Sequence, residues 1–174
     1  MEMAITYTQI MNNFLNDFCD DAVPNKSTHS CDGQRSVKSF YFKIKSSTNQ
    51  ITKTVQKFDE LIESNNCCSD RKKSELSTAL SEALANAIVH GNKTNPDQFV
   101  DLKIQIQKDQ MILRIKDKGD GFDYKQLPSP LKTENIKKTS GRGVYLMSVL
   151  VDKVDFVKHE DGMEVILTKF MKKK

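Results

Sequence analysis

The stretch Ser81–Asn92, SEALANAIVHGN, restricts the fold of this chain more than any other. It has helical spacing and is apolar nearly all the way round, yet Glu82, Asn86 and His90 recur at steps of four. At about 100° per residue these three fall within roughly 80° of one another and share one face. Leu76, Ala79, Leu80, Ala83 and Ala87 lie beside that face, and Leu84 and Ile88 extend the apolar surface. A helix this apolar is mostly buried. A carboxylate and a carboxamide buried with it cost roughly several kcal/mol unless something satisfies them. The remaining sequence must supply both the layer that covers this helix and the groups that answer its polar face.

The covering layer is legible in the periodicity. Val37–Ile44 alternates with Phe40, Phe42 and Ile44 in phase, which predicts a strand. Ser46–Asn49 offers N-cap residues for a helix reaching about Ser64, with Ile51, Val55, Phe58, Leu61 and Ile62 on its core face. Ser69 or Asp70 opens the long helix, and Gly91 is a natural stop for it. After Asn95-Pro96-Asp97 the period becomes two, with Val100, Leu102, Ile104 and Ile106 in phase. A hairpin at Lys108–Gln110 leads to a strand over Met111–Lys116. Phe122–Ser140 has no clean period and reads as a long loop; Gly143–Val151 reads as a short apolar helix. Val154–Val157 and Met163–Phe170 form a last hairpin around Glu160-Asp161-Gly162. The expected fold is α+β, a two-layer sandwich of a mostly antiparallel sheet packed on helices.

Charge separates the first 35 residues from the rest. They hold Glu2, Asp17, Asp20, Asp21 and Asp32 against Lys26 and Arg35, although the whole chain is basic, with formal net charge +4. We therefore expect an acidic appendage over residues 1–35, with an amphipathic helix at Tyr7–Phe18 and a polar linker over Ala22–Arg35, and one folded domain over 36–174. The basic body suits an anionic ligand, but no Arg-rich helix with interleaved aromatics points to nucleic acid. No apolar run approaches the ~20 residues of a membrane span, and the amino terminus lacks a signal-peptide layout, so a cytoplasmic protein is expected. Cys19, Cys31, Cys67 and Cys68 form no Cys-x-x-Cys pair and read as free thiols.

Two further motifs carry chemistry. Asp117-Lys118-Gly119-Asp120-Gly121 follows the Met111–Lys116 strand, and Asp117 continues the inward phase of Met111, Leu113 and Ile115. Its carboxylate points toward the helix layer, where it can accept from an exocyclic amine; a strand-ending turn whose Asp caps a backbone N–H gives the same sequence. Ser140-Gly141-Arg142-Gly143 precedes a helix, and backbone N–H groups at such a start make an anion site, although flexible-turn glycine is the plainer reading of these residues alone. Neither Gly-x-x-x-x-Gly-Lys-Ser/Thr nor Gly-x-Gly-x-x-Gly occurs in the chain.

Glu-x-x-x-Asn on a buried helix, Asp-x-Gly-x-Gly after a strand and Gly-x-Gly before a helix come in order within about sixty residues. This arrangement resembles the GHKL (Bergerat) ATP-binding fold of gyrase, MutL and the histidine kinases. More closely, SEALANAIVHGN, LRIKDKGDGFD and SGRGVYLMSVLVDKV look like the anti-sigma-factor serine kinases of the SpoIIAB and RsbW kind, from about Val37 to Lys169. The resemblance implies that Asn86 coordinates Mg²⁺ and that Glu82 is the general base. It implies that Asp117 accepts from the adenine amine, that Gly119 and Gly121 let the base lie close, and that Gly141, Arg142 and Gly143 hold the phosphates under a lid formed by Phe122–Ser140. It further implies an ATP-dependent serine/threonine kinase that phosphorylates a STAS-type anti-sigma-factor antagonist, sequesters an alternative sigma factor, and forms a homodimer. A nucleotide-gated binding module with little kinase activity is the second reading. One departure stands out: the family's usual Gly-Thr after the last hairpin turn is Gly162-Met163 here, which removes a hydroxyl and predicts weaker nucleotide binding. His90 is expected to orient or cap. The catalytic half of a sensor histidine kinase fits poorly, because the only upstream histidine, His29, lies in the polar linker.

Overall fold

The computed structural model describes residues 37–121 and 142–171. The helix expected at Tyr7–Phe18, the linker Ala22–Arg35, the loop Phe122–Ser140 and Gly141 lie outside the described residues.

Alternating inward residues make five strands: β1 (Lys38–Lys45), β2 (Phe99–Ile106), β3 (Gln110–Lys116), β4 (Lys153–His159) and β5 (Gly162–Phe170). They form one sheet in the order β1-β2-β3-β5-β4, and every neighbouring pair is antiparallel. The register sets Phe42 beside Leu102, Leu102 beside Ile115, and Ile115 beside Val165, so the inward side chains align in rows across four strands. One face of the sheet is thus apolar, as one-sided antiparallel sheets are.

Helices cover that face. Helix α1 (Asn49–Asn65) buries Phe58, Leu61 and Ile62, and α2 (Asp70–Ala85) buries Leu76, Ala79, Leu80, Ala83 and Leu84. Helix α3 (Arg142–Leu150) packs against α2 and buries Met147. The sheet's inner rows and these helix faces form one contiguous apolar core. The two-layer α+β sandwich expected from periodicity is the fold observed.

The long helix departs from expectation at its end. Regular α geometry stops at Ala85, and Asn86–Gly91 continue as a π-helix, in which the backbone N–H of Asn92 reaches Ala87 O, five residues back, at 2.8 Å. Such a wide turn inserts an extra residue into the helical repeat. Ala87 and Ile88 stay in the core, but His90 no longer lies on the line through Glu82 and Asn86 and is exposed. Gly91 does not stop the helix by a left-handed backbone either: the positive φ angles are at Lys93 and Thr94, 53° and 55°. Gly91 is required for another reason. A Cβ built on it would stand 2.6 and 2.8 Å from the two carboxylate oxygens of Asp117.

The β4–β5 turn is pressed equally close to the end of β3. Gly162 has φ 152°, and a Cβ there would lie 2.9 Å from the carbonyl carbon of Asp117 and nearer still to its oxygen. That contact is with backbone, which cannot swing aside. We therefore expect Gly162→Ala to destabilise the fold by about 3 kcal/mol or more, measured as a lower midpoint in chemical denaturation with an unchanged slope.

Candidate active site

Glu82 sits in the last turn of α2 and Asn86 is the first residue of the π-helix, so their side chains rise from the same face one turn apart. Both are half-buried, more open to solvent than the apolar stretch around them predicts. The first turn of α3 lies directly over them. A Cβ on Gly143 would stand 2.7 Å from Glu82 Oε2, 3.5 Å from Asn86 Nδ2 and 3.6 Å from Asn86 Oδ1. The helix-start glycine and the Glu-x-x-x-Asn pair therefore occupy one place, although 57 residues separate Asn86 from Gly143. Arg142, the first residue of α3, is exposed.

At the other end of the π-helix stands Asp117. It is 6% exposed, as its inward phase on β3 requires. Its Oδ1 accepts the Gly119 N–H at 2.8 Å, and its own N–H donates to Met163 O at 2.9 Å. Burial pushes the Asp117 carboxyl above the ordinary aspartate range, while the Gly119 and Met163 backbone amides and the Lys158 charge pull the other way. Asp117 caps a turn N–H with one oxygen, as the turn reading expects, and its carboxylate lies buried beside the helix layer, as its inward phase expects.

The two glycines after it divide their work differently from expectation. A Cβ on Gly119 would lie 2.7 Å from the carbonyl carbon and the Cα of Gly91, so Gly119 is there to pack on the protein's own backbone. Gly121 has φ 73°, and a Cβ there would meet Lys158 Nζ at 3.2 Å and Met163 Sδ at 3.4 Å. The left-handed backbone is what calls for glycine at this position.

Three residues escaped the motif reading. Asn92, 2% exposed, ties the helix end to β1, β2 and the Asp117 loop. Lys158 donates to Asp120 O and sits beside Gly121 and Met163, signalled only by its inward phase on β4. Asp161 pairs with Lys116 at 2.6 Å and Lys118 at 2.8 Å, bracketing Asp117 with exposed ion pairs of small worth. Met163 is 2% exposed yet stands outside the contiguous core, with its sulfur toward Gly121. Thr168 lies five residues further along β5, roughly 16 Å away, paired with Lys153 and Ile112, and replaces nothing at Met163.

Among the described residues no group of three or more His, Cys, Asp or Glu is placed to hold a metal ion. A hard cation at Asn86 would take the carboxamide oxygen, and its remaining ligands from phosphate oxygens and water, the usual style of Mg²⁺. A side chain at position 143 would crowd the Asn86 carboxamide, and the glycine there keeps that oxygen free of one, which fits such a ligand. Among the described residues no helix is long and apolar enough to cross a membrane.

Comparison with known proteins agrees with this geometry. Residues 44–169 match the family model described as the histidine kinase-like ATPase domain. Over 102 residues the chain is 36% identical to proteins named serine-protein kinase RsbW from Staphylococcus aureus strains MSSA476 and MW2, a match covering 55% of this chain and 64% of those relatives. A crystal structure of the RsbU and RsbW domains of a Mycobacterium tuberculosis protein superposes with a TM-score of 0.56 at 13% identity, over 76% of this chain and 32% of that one, and so shares the fold.

The Gly143 contact yields a separable expectation. A methyl there meets the far end of the Glu82 side chain, which can shift cheaply, so Gly143→Ala leaves the melting temperature within about 3 °C of wild type. Differential scanning calorimetry checks this outcome; a larger fall in melting temperature would mean that the Glu82 side chain cannot give way.

Proposed function

The chain belongs to the histidine kinase-like ATPase family, and from that premise we propose that it is an ATP-dependent serine/threonine protein kinase. Its substrate is a STAS-type anti-sigma-factor antagonist, and the same protein sequesters an alternative sigma factor, so that unphosphorylated antagonist releases the sigma factor. It acts in the cytoplasm as a homodimer. The observation that supports the kinase reading is the position of Gly143 over both Glu82 and Asn86, which brings together the residues proposed as phosphate-binding helix start, metal ligand and base.

The division of labour follows from the chemistry of each group. Asp117 accepts the exocyclic amine of adenine and fixes the base end of the nucleotide. Gly141, Arg142 and Gly143 hold the phosphates at the start of α3, where backbone N–H groups and the helix dipole favour anions. Asn86 would hold Mg²⁺, which when bound would supply charge neutralisation to the phosphates. Glu82 takes the proton from the attacking serine hydroxyl. Phosphoryl transfer depends mainly on positioning and charge neutralisation, and these residues supply both.

The second reading, a nucleotide-gated anti-sigma module with little kinase activity, draws on Met163. A thioether stands where the related kinases usually have a threonine hydroxyl, and one missing hydrogen bond weakens nucleotide binding by about 1 kcal/mol. The half-buried Glu82 and Asn86 side chains beneath Gly143 favour the kinase.

Incubating the protein with ATP, Mg²⁺ and a STAS-domain antagonist should produce phosphoserine or phosphothreonine on the antagonist, and Glu82→Gln should abolish it while nucleotide still binds. Wild type that binds ATP without transferring phosphate would establish the binding module instead. Asn86→Ala should remove Mg²⁺-dependent ATP binding with the circular dichroism spectrum preserved; unchanged affinity in calorimetric titration would remove Asn86 from the metal site.

A further inference from the structure

We infer that Asn92 is a positioning residue for the base end of the nucleotide site, acting through Asp117. The inference rests on the proposed role of Asp117 as acceptor for the adenine amine.

Asn92 follows the π-helix directly and is buried, so it reaches no ligand itself. Its carboxamide is fully engaged. Nδ2 donates to Ser46 Oγ at 2.7 Å and to Phe99 O at 3.1 Å, and Oδ1 accepts the Lys118 N–H at 2.7 Å. Its backbone N–H closes the π-turn on Ala87 O. One side chain thus joins the segment after β1, the start of β2 and the loop after β3 to the end of the helical segment that begins with Asn86. The buried polar residues among those described are Ser46, Thr54, Asn92, Asp117 and Thr168, and three of them belong to this cluster. Burying polar groups is tolerated only when they are satisfied, and here the satisfaction is mutual.

The Lys118 bond is the one that reaches the site. Three consecutive amides in the Asp117 loop have fixed acceptors: Asp117 N–H on Met163 O, Lys118 N–H on Asn92 Oδ1, and Gly119 N–H on Asp117 Oδ1. The outer two hold the ends of a three-residue turn, and the middle one sets its tilt. Loss of that acceptor frees the peptide plane between Asp117 and Lys118 to rotate. The Asp117 carboxylate hangs from that backbone, so its second oxygen then loses the direction needed to meet an amine. The fold around it persists, because the Gly91–Gly119 and Gly162–Asp117 contacts do not involve Asn92.

The test is equilibrium titration of the full-length protein with Mg²⁺–ATP and Mg²⁺–ITP. Hypoxanthine carries an oxo group in place of the adenine amine, so a correctly aimed carboxylate prefers ATP. Asn92→Ala should weaken ATP binding about tenfold and leave ITP binding nearly unchanged, so the preference collapses. Equal weakening for both nucleotides with the preference intact overturns the inference, since a loss of folded protein affects both alike. Should Asn92→Ala fail to fold, Ser46→Ala decides. It removes one acceptor of Nδ2 on the side away from the pocket and should narrow the preference partway; an unchanged preference overturns the inference. Wild type that binds both nucleotides equally overturns the reading of Asp117 itself, and the inference falls with it.

Discussion

One end of the candidate site depends on one close contact, the carboxylate of Asp117 lying against the Cα of Gly91. A carboxylate can be brought so near a helix end only if that end carries no side chain, and only if the carboxylate's own backbone is held from the other side. Both conditions are met by glycine packing: Gly91 and Gly119 stack on each other, and Gly162 presses on the Asp117 carbonyl. The result is a backbone stack three segments deep that confines Asp117, while the bond from Lys118 N–H to Asn92 Oδ1 fixes the tilt of its peptide plane. Burial then pushes its proton affinity up, and the two backbone amides with Lys158 moderate the rise. A group held this way is an acceptor with a fixed direction, which is what discrimination by a single hydrogen bond requires.

The π-helix gives this contact its relation to the rest of the site. Asn86 begins the turn and Gly91 ends it, so the residue proposed to hold the metal and the residue beneath the base acceptor belong to one six-residue unit. Their separation along the axis is under about 9 Å, and it is set by a rigid backbone. A regular α-helix through the same six residues would rotate Gly91 and Asn92 relative to Ala87 and Ile88. Either the apolar pair would leave the core or the glycine would leave Asp117. The wider turn keeps both, and Asn92 fastens its far end to the segment after β1, the start of β2 and the loop after β3.

Most of this was legible in the sequence because it follows from periodicity. The five strands and three helices begin and end within a few residues of where the apolar phase places them, and the inward aim of Asp117 follows from two-residue alternation alone. What periodicity does not carry is the change of helical pitch at Asn86. Nothing in NAIVHGN separates an α-turn from a π-turn, because both bury Ala87 and Ile88; the choice is made by β3 and its loop, far away in sequence. That is why the step of four puts His90 with Glu82 and Asn86 although it is exposed, and why the pattern shows that the helix ends at Gly91 but not that Asp117 requires the glycine. Asn92 went unnoticed for a related reason. A polar residue after a helix is ordinarily a solvated loop residue, and only the convergence of Ser46, Phe99 and Lys118 makes it an interior one.

Met163 shows how such a site tolerates a change of side chain. The position serves Asp117 with its backbone, accepting the Asp117 N–H with its carbonyl and turning its own amide toward the carboxylate. Those bonds are indifferent to what the side chain is. A threonine there would add one hydroxyl for the ligand; a methionine adds an apolar, polarisable surface beside Gly121 and removes that donor. The side chain and the backbone of Met163 therefore meet different partners: the thioether lies beside Gly121, and the carbonyl holds the Asp117 N–H. A change of side chain here leaves the direction of Asp117 untouched because the two effects reside in different atoms of the same residue. Glu82, Asn86 and Gly143 meet at the opposite end of the π-helix, so the proposed phosphoryl-transfer geometry is built from residues other than the one that carries the substitution. On the proposed function, weaker nucleotide binding and an intact transfer geometry are thus compatible in one protein.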